Sequence, residues 1–309
     1  MRVFIAGASG AIGRPLVPKL IAAGHQVTGT TRTPAKAERL RDAGAEPVVV
    51  DAYDSAALRE AVVAARPDVV MNQLTSLSEP LNPRKYGAWL ETTNRLRAEG
   101  TKVLIDAARA AGAKRVIAQS VSFLTAPEGP PIVDETARLW LDVPGDVRPG
   151  VEALRDMESA VVDAGGVVLR YGFFYGPGTS YARDGQVADE VRKRRLPVVG
   201  KGGGMSSFIH IDDAADATVL ALDHGEPGVY NIVDDGPVVA REWTMQLAQL
   251  LDAKQPRRVP AWLARVATSK AVATFATEMR GASNAKAKRE LGWSPAHPDW
   301  RAGFAEVFG

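Results

Sequence analysis

Short apolar runs alternate with longer amphipathic stretches through the first half of the chain. The runs are RVFIA (2–6), QVTGT (26–30), PVVV (47–50), DVVMN (68–72), RVIAQ (115–119) and VVLRY (167–171). They read as strands buried on both faces. Between them, GRPLVPKLIAAG (13–24) and TKVLIDAARAAG (101–112) carry apolar residues at helical spacing. This alternation predicts parallel strands joined by crossover helices, a doubly wound α/β sheet. Beyond residue 171 the pattern loosens. YGPGTSY (175–181) and VGKGGGM (199–205) are turn-rich loops, and DDAADATVLALDHG (212–225) reads as a helix with Asp212 as its N-cap. GVYNIV (228–233) reads as a further strand, and from Arg241 onward the chain is mostly helical.

GASGAIG (7–13) gives that pattern a chemical meaning. It directly follows the first predicted strand and opens the first predicted helix. Glycines there let the backbone turn tightly and approach a pyrophosphate, while the helix N-terminus offers free N–H groups and a positive dipole. The expectation is a Rossmann-type sheet forming a dinucleotide-binding domain over 1–171. Residues 172–309 would complete the sheet and form a smaller, mostly helical substrate lobe. After the second strand, where a carboxylate usually holds the adenosine ribose of NAD, stand Thr31, Arg32 and Lys36. A guanidinium suits the extra phosphate, so NADP(H) is expected over NAD(H).

The chain is 46% hydrophobic and 24% charged, with a net charge of +2, and contains no cysteine. That excludes thiolate catalysis, disulfides and Cys-ligated zinc, and gives no basic surface for nucleic acid. The four histidines lack metal-ligand spacing, so no metal is expected. MRVFIAG enters a strand at once, with no basic-then-apolar leader and no membrane-length apolar run. The expectation is a cytoplasmic protein acting on a small molecule, without a membrane or nucleic-acid partner; a homodimer is left open.

Six motifs in order carry a resemblance: GASGAIG, VVVDAYD (48–54), TTNRLRAEGTKVLIDAARAAGAKRVIAQS (92–120), LRYGFFYGPGT (169–179), SFIHIDDAADA (207–217) and NAKAKRELGWSP (284–295). Together they resemble the extended short-chain dehydrogenase/reductase family, which includes sugar-nucleotide epimerases and dehydratases. The resemblance implies that Gly7, Ser9, Gly10, Ala11, Ile12 and Gly13 form the pyrophosphate loop and that Asp51 contacts the adenine. It places Gln73, Leu74 and Thr75 beside the cofactor's ribose. It also places Ser120, at the end of the fifth strand, and Tyr171, Phe173 and Phe174, after the sixth, near the nicotinamide.

The departures from the family concern catalysis. The family's second serine or threonine is Val121, with Ser122 one position further on. Its Tyr-x-x-x-Lys pair, counted back from Glu158, falls on Gly150 and Leu154. The arginine that meets the diphosphate of sugar nucleotides is Ser206. The candidate stand-in acids are His210, Ser122, Tyr175 and Tyr181, with His210 preferred because an imidazole can donate a proton near neutral pH. The expectation is an atypical NADP(H)-dependent oxidoreductase acting on a small carbonyl compound or conjugated alkene. A silent NADP-binding sensor and an epimerase or dehydratase with rearranged acids are the alternatives.

Overall fold

The computed structural model describes residues 1–77, 86–143, 145–268 and 270–309. The first half alternates strand and helix: β1 (Arg2–Ala6), α1 (Gly13–Ala22), β2 (Gln26–Thr31), α2 (Pro34–Asp42), β3 (Glu46–Val49), α3 (Ser55–Ala65) and β4 (Val69–Asn72). Next, α4 (Tyr86–Arg95) runs through a π-helical turn, Leu96–Gly100, into α5 (Thr101–Ala111), followed by β5 (Arg115–Val121) and the short β6 (Ile132–Val133). The helix α6 (Arg148–Asp163) leads to β7 (Val167–Tyr171), β8 (Phe173–Tyr175), α7 (Gln186–Arg192), β9 (Val198–Val199), β10 (Met205–Ser206), β11 (Phe208–His210) and α8 (Ile211–Leu220). The remainder is β12 (Gly228–Ile232), β13 (Val238–Val239), α9 (Ala240–Leu250), β14 (Arg258–Val259), α10 (Ala261–Ala267), α11 (Lys270–Glu278), β15 (Gly281–Ala282), α12 (Ala285–Leu291) and α13 (Trp300–Phe308).

Seven parallel strands form the central sheet in the order β12-β7-β5-β4-β1-β2-β3. The chain winds outward from β1 in one direction and, starting again at β4, in the other. Ligands of such sheets sit beyond the carboxyl ends of the strands where the order reverses, here β1 and β4. One apolar layer joins the sheet to α1, α8 and Trp293; the other joins it to α3, α5 and α6. β3 is an edge strand with Val49 52% exposed, so PVVV is buried less fully than its composition suggested.

A third apolar cluster, built on Tyr175, Phe208, Trp243, Trp300, Phe304 and Phe308, organises the C-terminal part. Trp243, Trp293 and Trp300 are all buried there or against the sheet, whereas Trp262 is 67% exposed. Among the described residues no helix is long and apolar enough to cross a membrane.

Candidate functional site

The glycine loop closes the reversal point. Gly7 adopts φ +88°, and a Cβ on it would lie 2.7 Å from the Gln73 carbonyl oxygen. A Cβ on Gly13 would overlap the Ala8 carbonyl. Packing demands both glycines. Gly10 differs: it is exposed, and its missing side chain would meet only the Gly7 carbonyl, at 3.3 Å. Its bareness leaves room for a ligand. α1 starts without a side-chain cap and without an acidic residue in its first turn. Its leading N–H groups are therefore suited to anionic oxygens. The loop is pinned to β2: the Gly7 amide donates to Thr30 Oγ1 at 2.9 Å, and Ser9 Oγ donates to Thr31 Oγ1 at 3.1 Å.

That second bond corrects one expectation. Thr31 is buried and supports the loop instead of facing an adenosine phosphate. Arg32 and Lys36 are exposed at the end of β2 and the start of α2, with no ion pair among the described residues, and the first turn of α2 holds no acid. Asp51 lies beyond β3, exposed, accepting the Tyr53 amide at 3.0 Å. Tyr53 in turn ties this loop to α4 through a bond to the Thr92 carbonyl.

Beyond β4, Asn72 Oδ1 accepts the Leu74 amide at 3.1 Å, and Asn72 Nδ2 donates to Thr101 Oγ1 at 2.9 Å. This hydrogen-bonded turn presents Leu74, half-buried, and Thr75, exposed. Gln73 is buried with both side-chain polar atoms unpartnered among the described residues.

Two residues expected at the nicotinamide, Ser120 and Tyr171, point to opposite faces of the sheet and hydrogen-bond to the helices that cover them. Ser120 donates to Glu158 Oε1 at 2.6 Å, and the same carboxylate forms a buried ion pair with Arg170 at 2.5 Å. This network clamps α6 to β5 and β7, so Glu158 is structural. Tyr171 is buried with its hydroxyl 2.7 Å from Thr218 Oγ1, and burial pushes its pKa up to about 12. Phe173 and Phe174 stay half-buried. Phe173 stacks on Phe123 with centroids 4.2 Å apart, an aromatic pair that the sequence reading missed because Phe123 lies outside every motif.

Gly150 and Leu154, where the expected tyrosine and lysine would fall by count from Glu158, are closely packed. Gly150 is buried, and a Cβ there would lie 3.3 Å from the Asn94 side-chain amide and 3.5 Å from Leu90. Leu154 is fully buried in the apolar layer beneath the sheet. Behind Asn94, the buried Arg97 of the π turn donates to Asn94 Oδ1 at 3.5 Å.

Two proposed stand-in acids are also engaged elsewhere. His210, not Asp212, caps α8: its Nδ1 accepts the Asp212 amide at 3.3 Å. Its ring stacks on His297 at 4.0 Å, and burial lowers its pKa. Asp213 is buried and accepts the amides of Ala296 and His297. Tyr175 is fully buried in the C-terminal aromatic cluster, where burial drives its pKa far upward. An imidazole serving as a cap and a phenol sealed in a core are poorly placed to reach a substrate oxygen. Tyr181 packs on Phe208 and Trp243, and burial raises its pKa too. Ser122, like Tyr175 and Thr125, keeps a buried hydroxyl without a partner among the described residues.

The NAD dependent epimerase/dehydratase family matches residues 3–233. This chain belongs to that family. It is 45% identical, over 98% of its length and 99% of the relative's, to a 3-diazoavenalumate denitrifying reductase of a Streptomyces species. It is 27% identical, over 86% of its length and 78% of the relative's, to a 4-hydroxy-2-methyl-3-oxo-4-farnesyl-3,4-dihydroquinoline-1-oxide ketoreductase of Stigmatella aurantiaca. The fold is similar to that of the Thermotoga maritima UDP-glucose 4-epimerase with UDP-glucose: TM-score 0.77, 20% identity, covering 100% of this chain and 97% of that one. The chain is thus an enzyme, an oxidoreductase of the extended short-chain type.

Proposed function

We propose that this enzyme is an NADPH-dependent reductase that replaces the diazo group of a small aromatic compound with hydride, releasing dinitrogen. The observation that carries the reading is the packed, non-polar state of Gly150 and Leu154. A carbonyl reductase must protonate an oxygen, and general acid catalysis typically contributes about 10²–10⁴-fold. An arenediazonium ion needs no such help. The C–N bond breaks, a C–H bond forms, both electrons arrive with the hydride, nitrogen leaves as N₂ and no proton is consumed. A relative 45% identical over nearly the whole chain, named for a diazo substrate and denitrification, supports the same reading.

The residues fit a dinucleotide. The Gly7–Gly13 loop and the open N-terminus of α1 would hold the pyrophosphate, Arg32 and Lys36 the 2′-phosphate, and Asp51 the adenine. Gln73, Leu74, Thr75 and Phe173 would wall the nicotinamide end. When bound, the nicotinamide supplies the hydride. The Phe123–Phe173 stack offers a π face to a cationic aromatic substrate. Ser206, at the place of the family's diphosphate arginine, accepts the Trp243 indole N–H at 3.1 Å, which disfavours a sugar nucleotide.

The test uses NADPH deuterated at C4 with a diazo-substituted arylcarboxylate. The expected result is equal amounts of NADPH consumed and N₂ released, deuterium on the product ring and kcat flat between about pH 6 and 8. NADH should serve at least about tenfold less well, reflecting a lost charge-assisted contact. Faster turnover of ketones, aldehydes or enones would sink the diazo reading, and equal use of NADH would sink the cofactor assignment.

A further inference from the structure

Arg280 sits between α11 and β15. It is 7% exposed, its Nε is fully buried, and its guanidinium has neither ion pair nor hydrogen bond among the described residues. One arm, Nη1, points at Gly129, where a Cβ would stand 2.9 Å away; Gly129 holds φ +104° and leaves that side bare. Glu128 is the carboxylate that acts on Arg280, yet it is exposed and already paired with Arg138 at 3.1 Å. Burial, aided by the like charge of Arg138, lowers the pKa of Arg280. A buried cation without a counter-charge costs stability and calls for an anion from outside the fold.

The surroundings indicate where that anion lies. Two more buried hydroxyls without partners, Ser122 and Thr125, stand on the segment leading from β5 toward Gly129. After Arg280, the Gly281 amide donates to the Pro131 carbonyl at 2.9 Å and the Ala282 amide to Ser207 Oγ at 2.8 Å. The Ser207 carbonyl accepts the Phe173 amide at 2.8 Å, and Phe173 stacks on Phe123, next to Ser122. This chain of contacts joins Arg280 to the aromatic pair at the end of β5.

We propose that Arg280 binds the carboxylate of the substrate, with Ser122 and Thr125 as neutral donors beside it, and that the enzyme acts on aromatic acids. One planar guanidinium matches a single carboxylate in charge and geometry, and a diphosphate would leave charge uncompensated. The assignment rests on the proposed function for the position of the cofactor. Its test needs no turnover.

Calorimetric titration of the NADP⁺-loaded protein with benzoate, 4-hydroxycinnamate and their primary amides reads the site directly. At least one acid should bind about 10- to 100-fold more tightly than its amide. Arg280→Met should abolish that margin, leave NADP⁺ affinity unchanged and melt at the same or a higher temperature, because it removes an uncompensated buried charge. Arg280→Lys should restore part of the margin. No acid preferred over its amide overturns the proposal, as does a folded Arg280→Met that keeps the preference. Should Arg280→Met not fold, Arg280→Lys decides: a selective loss of acid binding supports the site, and unchanged binding overturns it. A failed diazo assay leaves these outcomes intact, and their failure leaves the reductase reading intact.

Discussion

Gly10 separates the two uses of glycine in the GASGAIG loop. Gly7 and Gly13 are demanded by the Gln73 and Ala8 backbones, whereas Gly10 is exposed and its missing side chain would meet only the Gly7 carbonyl. Gly10→Val should therefore keep the fold and lose the ligand, because a branched side chain fills the approach of the pyrophosphate. The expected outcome is an unchanged circular dichroism melt with NADPH affinity, by fluorescence titration, reduced at least about 100-fold. Retained binding would make the loop structural. That these glycines form a tight loop between a strand and a helix was legible in GASGAIG, since turn, strand and helix are all local. Which of them packing demands was not, because Gln73 lies in a different element.

At the scale of elements, His210 shows how one residue's role depends on its helix. The motif SFIHIDD suggested an acid at His210 and a cap at Asp212. Instead the N-cap lies two residues earlier, at His210, and Asp213 anchors the segment before α13. His210→Ala should cost about 1 kcal/mol in denaturant unfolding, as a lost cap does, and leave kcat on the diazo substrate unchanged. A fall in kcat at unchanged stability would return the histidine to the chemistry. The α4–α5 segment is similar. The helical period of α5 was readable, but α4 and the π turn at Leu96–Gly100 were not. That turn accompanies the placing of Thr101 on Asn72 and of Arg97 against Asn94, contacts absent from any local repeat.

At the scale of the whole molecule, the C-terminal part buries a carboxyl group. Asp234 is 1% exposed; Oδ1 accepts the Gly236 amide at 3.2 Å and Oδ2 has no partner among the described residues. Burial raises its pKa from 3.8 to about 8. Between those values the folded protein holds a proton that the unfolded chain releases, so this group makes stability fall as pH rises, by about 1.4 kcal/mol per pH unit at most. Above pH 8 its contribution is constant. Asp234→Asn should flatten that slope and exceed the parent in stability at pH 8, measured by urea unfolding at pH 5, 6.5 and 8. Identical slopes for the two proteins would show that Asp234 ionises normally.

The order of strands and helices, the parallel sheet and the glycine loop between β1 and α1 followed from sequence alone, because side-chain period and turn chemistry act within a few residues. Gly150 and Leu154 were counted from Glu158 along one helix, and α6 carries all three. Only the tertiary structure decided what surrounds them. It set Asn94 against Gly150, turned Ser120 toward Glu158 and Tyr171 toward Thr218, and left Arg280 buried without a counter-charge. Each of these depends on which face of a strand or helix meets a distant neighbour, and packing between layers sets that, where local periodicity cannot.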